Sequence, residues 1–139
     1  MAGDTTPREP DAQGAPVRRF KDPAYRPLAE NLAGVRREID RLDDAIVRLL
    51  AERAMYVKDA ARFKRDAFQV SAPARQAQVF ARVRALADAH QPGYNGGFDG
   101  LPDVVESAYR ALVAGYIACE QTYFGHTEPV DSSPEKDPS

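Results

Sequence analysis

The stretch that decides the fold runs from Ala33 to Ala67 and has the sequence AGVRREIDRLDDAIVRLLAERAMYVKDAARFKRDA. It contains no proline and, after Gly34, no glycine. Its apolar residues, with the leucine just before it, recur at intervals of three and four, which is the period of one helix face. They are Leu32, Val35, Ile39, Leu42, Ile46, Leu49, Leu50, Val57 and Ala60. The pattern predicts one long amphipathic helix that begins between residues 28 and 31 and ends between 64 and 67.

Two cations lie on the apolar face of this predicted helix. At about 100° per residue, Arg53 and Lys64 fall at the centre of the stripe, about 16 Å apart along the axis. An isolated charge on a buried face costs several kcal/mol unless an anion neutralises it, so the pair indicates a receptor for a negatively charged ligand. The structural alternative is that Arg53 pairs with Asp43 or Glu52 and that Lys64 only complements the helix dipole.

The composition describes one globular domain. The chain has 139 residues, 43% hydrophobic and 29% charged, with a formal charge of −2. This balance does not favour binding to nucleic acid or to an anionic membrane surface. Cys119 is the single cysteine, and His90 and His126 lack the spacing of metal ligands, so we expect no disulfide, metal or cofactor. No apolar signal region or membrane-length segment occurs in the sequence, and we expect a cytoplasmic protein.

The two ends of the chain differ from its middle. Residues 1–27 are rich in proline, glycine, aspartate and threonine, and 126–139 have the same low hydrophobicity. We expect both ends to be disordered tails around a helical domain at 28–125. The first tail contains a basic cluster, VRRFK, at residues 17–21. This cluster is either solvated, docked on the body of the protein, or in contact with an acidic partner.

Two further helices complete the predicted fold. Ser71, as a cap, precedes a helix predicted at residues 73–90, with proline in its first turn. The segment 91–102 contains four glycines and two prolines, which indicates a loop. A third helix is predicted at residues 103–124. The fold class is therefore all-α, with three helices per chain and a very long first helix.

The length of the first helix predicts how chains assemble. It would be about 50 Å long, whereas a compact globule of this size is about 30 to 35 Å across. A second copy of the same helix is the simplest cover, which predicts an entwined homodimer. Arg36 lies about 25 Å from Arg53 along the axis, too far to share a small site within one chain. An antiparallel partner would bring its own Arg36 beside Arg53, in a cationic site suited to a small dicarboxylate.

Five stretches of the sequence carry a resemblance to a known family. Three lie in the predicted first helix: VRREIDRLD (35–43), LAER (50–53), and VK through RFK (57–64). Two lie further along: APAR (72–75) and YIA (116–118). The first three resemble the first helix of the all-helical chorismate mutases, and the last two are closer to a subgroup, the bacterial isochorismate-pyruvate lyases. The resemblance covers residues 33–124. The resemblance implies aromatic amino acid biosynthesis by the shikimate pathway, without a metal or cofactor.

The resemblance also implies a role for each charged residue. Arg36 would be supplied by the partner subunit, and Arg53 would bind a substrate carboxylate. Lys64 would bind a carboxylate and the ether oxygen of the breaking bond, and Arg75 would border the site. Glu120 matches a position that is usually glutamine, where it would contribute to catalysis with Lys64 and Arg53.

Two departures bear on the substrate. Family mutases often have acidic residues at the positions of Ala72 and Gln76, where they hold the ring hydroxyl of the substrate. Neither residue is acidic here, but Gln76 can still form a hydrogen bond to a hydroxyl, whereas the lyases are apolar at that position. Gln76 therefore favours the mutase, and Tyr116 completes the predicted substrate-binding set.

Three functions remain open from the sequence. The first is a chorismate mutase, which rearranges chorismate to prephenate by positioning and electrostatic stabilisation. The alternative is an isochorismate-pyruvate lyase, which forms salicylate and pyruvate in the same kind of pocket. A lesser alternative is a non-catalytic helical dimerisation or ligand-sensing module. Cations at the centre of the stripe argue against this last reading, because a pure dimerisation seam favours leucine or isoleucine there.

Overall fold

The computed structural model describes Gly3 and residues 6–130, in which all regular structure is helical. This confirms the all-α class and the long first helix. No helix in the described range is both long and apolar enough to cross a bilayer. Residues 131–139, most of the predicted second tail, lie outside the described range. The helices are α1 (Leu32–Ala60), a 3-10 turn (Ala61–Phe63), α2 (Ala67–Ser71), α3 (Pro73–Ala89) and α4 (Leu101–Phe124).

Helix α1 ends earlier than its pattern predicts. It begins after Asn31, whose side-chain Oδ1 accepts a hydrogen bond from the Gly34 N–H at 2.9 Å. Its 29 residues span about 44 Å. The expected end between residues 64 and 67 is wrong, because Lys64 has an extended backbone with φ −111° and ψ 146°. Asp66 explains the break: its side chain caps the next helix by accepting from the Gln69 N–H at 2.9 Å.

The junction between α2 and α3 also differs from the prediction. Ser71 does not cap α3, because it is the last residue of the short helix α2. Ala72 occupies the junction in the left-handed region, with φ 46° and ψ 61°, and makes no side-chain cap. A left-handed alanine costs on the order of 1 kcal/mol. Pro73 then starts α3 with its φ already suited to a first turn.

The core lies where α2, α3 and α4 meet. Helix α4 begins at Leu101, two residues before the predicted start, directly after Gly100 at φ 81°. It ends at Phe124 as predicted. The hydrophobic core contains Ala61, Val70, Phe80, Val83, Ala87 and Val113. Helix α1 contacts α4 but contributes none of its own residues to the buried set.

The apolar stripe of α1 is uncovered in the single chain. Its successive members are 40–53% exposed, which is unusual for large aliphatic side chains at helical spacing. They are Val35, Ile39, Leu42, Ile46 and Leu49. The entwined homodimer would cover this face, and it stays a prediction.

The segment before α1, residues 12–31, forms an arm with turns but no helix. The Ala33 N–H donates to the Ala12 carbonyl at 2.9 Å, which satisfies one of the open donors of the first helical turn. Farther along, Arg26 and Asn95 exchange two hydrogen bonds. The Arg26 N–H donates to Asn95 Oδ1 at 2.8 Å, and Asn95 Nδ2 donates to the Arg26 carbonyl at 3.0 Å. Disorder of residues 1–27 stays a prediction.

An ion cluster joins α3 to the start of α4. Arg84 Nη1 lies 2.8 Å from Asp103 Oδ1 and 2.9 Å from Glu106 Oε1. Arg110 Nε lies 2.7 Å from Glu106 Oε2. Hydrogen bonds from Arg110 and then Arg84 hold the pKa of Glu106 below its ordinary value. Hydrogen bonds to Asp103 and then to Glu106 raise the pKa of Arg84 above its ordinary value.

We predict that Glu106→Gln lowers the free energy of unfolding at neutral pH but not in acid. Because the folded-state pKa of Glu106 is depressed, its ionised form stabilises the fold above its ordinary pKa of 4.5. This stabilisation is lost as the pH falls through the lower folded-state pKa. Urea unfolding at about pH 7 and about pH 3, at one protein concentration, should show a difference from wild type only at the higher pH. Glu128→Gln, in the exposed segment after α4, is the control; equal effects of the two variants would contradict the prediction.

Candidate active site

A cavity of about 320 Å³ lies between the second half of α1, the start of α3 and the face of α4. Apolar side chains form much of its wall, including Val57, Val79, Val113 and Ile117. Six of the seven predicted site residues also line it. They are Arg53, Lys64, Arg75, Gln76, Tyr116 and Glu120. The cavity therefore combines apolar walls with a few polar groups, as small-molecule sites do.

Lys64 and Glu120 meet inside this cavity. Lys64 Nζ lies 3.0 Å from Glu120 Oε2, although the two residues are 56 positions apart in the sequence. Glu120 is buried, with 4% of the residue exposed. A carboxylate so far removed from water requires a partner, and Lys64 supplies it. The extended backbone at Lys64 directs the ammonium group toward α4, a geometry that the predicted continuous helix would not have given.

Two tyrosines of α4 hold Arg53. Its guanidinium carbon lies 5.2 Å from the ring centre of Tyr116 and 5.7 Å from that of Tyr109. Both rings are within the distance of a cation–π contact. Among the described residues, no carboxylate lies within 4.0 Å of Arg53, so it is not paired with Asp43 or Glu52. The guanidinium donors are thus left for a ligand.

Tyr116 has a positioning role in this arrangement. Its hydroxyl donates a hydrogen bond to the Leu50 carbonyl at 2.6 Å, which ties α4 to α1 one turn before Arg53. Tyr109, one of the residues holding Arg53, is missing from the site predicted by sequence. The signal was present, because Tyr109 and Tyr116 are seven residues apart and share one face of α4. Nothing in the sequence indicates that this face meets Arg53.

Gln76 and Arg75 stand at the start of α3. Gln76 Nε2 donates to the Ser71 carbonyl at 2.7 Å, so its own carbonyl oxygen is the group left to accept from a ligand hydroxyl. Arg75 is exposed and its Nη1 donates to Gln78 Oε1 at 3.1 Å, one turn further along α3. Arg75 thus borders the cavity, and its remaining guanidinium donors can reach a carboxylate there.

Arg36 is the one predicted site residue that the chain does not bring to the cavity. It is exposed near the start of α1, about 25 Å along the helix from Arg53. Within one chain the cavity therefore has three cations, Arg53, Lys64 and Arg75, and one carboxyl group, Glu120. That charge balance suits a small ligand with two carboxylates.

Comparison with known proteins assigns this chain to a family. The family model described as chorismate mutase type II matches residues 35–121, which include α1 from its first turn and most of α4. The chain belongs to the type II chorismate mutase family. The resemblance identified in the sequence is thereby confirmed.

Relatives in this family come from both branches that the sequence indicated. The chain is 34% identical over 91 residues to a chorismate mutase of Methanocaldococcus jannaschii, covering 65% of this chain and 91% of the relative. It is 33% identical over 96 residues to an isochorismate pyruvate lyase of Pseudomonas aeruginosa, covering 69% and 87%. A bifunctional chorismate mutase/prephenate dehydratase of Aquifex aeolicus is 30% identical over 93 residues, covering 66% of this chain and 24% of that longer protein. The lyase is no better supported than the mutase.

Proposed function

We propose that the chain converts chorismate to prephenate in the cavity between α1, α3 and α4. The observation that carries the proposal is the set of three cations and one buried carboxyl group around 320 Å³ of otherwise apolar space. Membership in the type II chorismate mutase family supports the same activity. Residues 28–125 are the catalytic body in this proposal, and the cytoplasm is its place of action.

The active unit in this proposal is an entwined homodimer. The exposed stripe of α1 supplies the surface that a second chain would cover. In an antiparallel pair, Arg36 of the partner subunit lies beside Arg53, and the fourth cation reaches the cavity. Each site is then formed mainly by one chain and completed by the other.

The reaction is a pericyclic rearrangement, in which an ether C–O bond breaks while a new C–C bond forms. It requires no nucleophile, so the protein contributes position and charge. Arg53, Arg75 and Arg36 of the partner subunit would bind the two carboxylates and hold the flexible substrate in its reactive conformation. The Lys64 ammonium group would donate to the ether oxygen, where negative charge develops as the bond breaks.

In this proposal Glu120 is a hydrogen-bond acceptor in the free protein and a donor when substrate is bound. Without substrate it accepts the hydrogen bond of Lys64. Beside a dianion and a developing oxyanion, only the protonated carboxyl can donate a hydrogen bond. Lys64 is the group that faces Glu120 directly, and Arg53 and Arg75 line the same cavity. In this proposal Glu120 can assist Lys64 at the ether oxygen only in its neutral form.

The second candidate function is the isochorismate-pyruvate lyase. The Pseudomonas aeruginosa relative supports it, because its identity to this chain is close to that of the mutase relative. Gln76 argues for the mutase, since its free carbonyl oxygen is an acceptor for a ring hydroxyl in the cavity.

Incubation with each substrate separates the candidates. The purified chain should form prephenate from chorismate with a higher kcat/KM than it forms salicylate and pyruvate from isochorismate. The reverse preference would identify a lyase. If neither substrate is converted, the non-catalytic dimerisation or sensing module is the remaining function.

We predict that two inactive variants, Arg36→Ala and Arg53→Ala, recover activity when their subunits are exchanged. A mixed dimer has one site with both arginines and one site with neither. Random exchange of equal amounts makes half of all dimers mixed, so activity should reach about a quarter of wild type. Mass spectrometry of isotopically labelled subunits would verify the exchange. No recovery in exchanged dimers would contradict the shared site.

We predict that Lys64→Ala lowers kcat by about 100-fold or more and changes KM much less. The reason is that its hydrogen bond to the ether oxygen strengthens only as charge develops. Lys64→Arg should not restore full activity, because a guanidinium group does not reproduce a compact ammonium donor. A loss confined to KM would make Lys64 a carboxylate anchor instead.

A folding defect must be separated from this catalytic effect. Removing Lys64 leaves Glu120 buried without its partner, which is destabilising by itself. The double variant Lys64→Ala/Glu120→Gln removes the charge from both positions. Its kcat should stay low while its circular dichroism and thermal unfolding match those of the single variant Glu120→Gln.

We predict that Glu120→Gln loses less activity than the wild type as the pH rises. An ionised carboxylate cannot donate to the ether oxygen and repels the dianionic substrate. Glu120→Gln keeps the size of the side chain and supplies a permanent N–H donor. The variant should retain activity in acid and lose much of the decline in base. Identical profiles of kcat/KM against pH would show that Glu120 does not act on the reacting atoms.

A further inference from the structure

A second concave surface lies between the arm and the first turns of α1. Its volume is about 1390 Å³, several times that of the active-site cavity. Apolar side chains form both walls: Val35, Ile39 and Leu42 on α1, Phe20 and Leu28 on the arm, and Tyr94 from the loop before α4. We call this surface the arm groove.

The arm stands away from α1 because it is fixed at separate points. Ala12 is bonded to the first turn of α1 through Ala33, whereas Arg26 is bonded to Asn95 in the loop between α3 and α4. The rings of Phe20 and Tyr25 lie 4.5 Å apart and brace the segment between these points. The arm is thereby attached to the body without resting on the stripe of α1.

The apolar side chains that line the groove are left exposed. Phe20 and Leu28 are 67% and 69% exposed, and the facing residues of α1 remain half exposed despite the arm beside them. Exposed apolar walls of this extent indicate a surface that is covered in the assembled protein. A helix about 10 Å wide with a rise of 1.5 Å per residue takes up about 120 Å³ per residue. The groove thus has room for on the order of three helical turns.

We propose that the arm is a strap that holds the α1 helix of a second copy of this chain in the arm groove. The inference rests on the proposed dimer, because it adds a second wall to the same interface. With Arg36 opposite Arg53 of the partner subunit, the antiparallel register places residues 47–55 of that subunit opposite residues 34–42. The segment 47–55 has its own exposed apolar side chains, Val47, Leu49 and Met55, which match the walls of the groove.

Charge complementarity with this occupant is limited to a few carboxylates. The arm contributes Arg18, Arg19 and Lys21 to the lining of the groove, together with the acidic Asp22 and Glu30. In the register above, the segment 47–55 of the partner subunit carries one carboxylate, at 52, between arginines at 48 and 53. Two further carboxylates, at 43 and 44, lie about one turn beyond the end of the groove. Pairing of the basic cluster at residues 17–21 with these carboxylates would favour this register.

The strap has a consequence for the active site. Arg36 lies within the stretch of α1 that forms one wall of the groove, and Arg53 lies on the helix that fills it. The arm would therefore help to set the distance between Arg36 and Arg53 of the partner subunit. Loosening the arm should weaken the dimer and raise KM, while each chain keeps its own Lys64 and Glu120 in place.

Photo-crosslinking tests where the arm docks. The full-length chain with p-benzoylphenylalanine at position 20 is mixed as unlabelled and ¹⁵N-labelled subunits and irradiated. We expect crosslinks from position 20 to residues 46–56 of the other subunit. The same photo-reactive residue at position 98, an exposed aromatic position outside the groove, should give none to that segment. Crosslinks from position 20 confined to the same subunit would overturn the proposal.

Subunit dissociation gives an independent measurement. The full-length double variant Phe20→Ser/Leu28→Ser should raise the dimer dissociation constant at least tenfold, measured by dilution of fluorescently labelled protein. The control Phe98→Ser/Val130→Ser, which removes two exposed apolar side chains outside the groove, should change it less than twofold. Equal constants for wild type and the arm variant would overturn the strap.

The outcomes separate this inference from the proposed function. A dimer that converts chorismate but has arm crosslinks only within each subunit would reject the strap alone. A dimer with crosslinks between subunits but no conversion of chorismate would reject the function and keep the strap. A monomeric chain would reject the strap together with the shared site.

Discussion

The uncovered apolar face of α1 is the constraint on which the other features depend. The helix has 29 residues and none of them is buried, because α2, α3 and α4 form their own core, which contacts α1 chiefly through α4. A helix of about 44 Å cannot hide one face against so small a body. Association with another surface would therefore be favoured by the hydrophobic effect on this face. In the proposed dimer, a second copy would offer the same stripe and an arginine for each active site.

Within the chain, each charged side chain in the centre of the cavity has a neighbour that stabilises it. Lys64 and Glu120 neutralise each other, while tyrosine rings support Arg53 without consuming its donors. The apolar walls strengthen the interactions between charges in the cavity, because they lower the local dielectric constant. Such a cavity can orient a dianion and stabilise one developing charge, and a pericyclic rearrangement requires no more. The chemistry that this cavity allows thus agrees with the family to which the chain belongs.

Two features outside the cavity bear on its geometry: the ion cluster at Glu106 and the arm. Arg84, Glu106 and Arg110 join α3 to α4, and so fix the two helices that contribute Gln76 and Glu120. In the proposed dimer, the arm would act along α1, where the partner subunit would enter. The ion cluster thus joins two helices within a chain, and the arm would help to set how two chains meet.

The sequence by itself determined the long helix, the stripe, the family and the cations, because helical periodicity and charge placement are local properties. It misplaced the end of α1, although Asp66 was a local capping signal that competed with the helical pattern. The tertiary structure decided which side chains meet: Lys64 with Glu120, Tyr116 with the Leu50 carbonyl, and Tyr109 with Arg53. These partners are more than 50 residues apart, and no local pattern specifies such a contact. Packing of α4 against α1 and the turn at Lys64 set those distances.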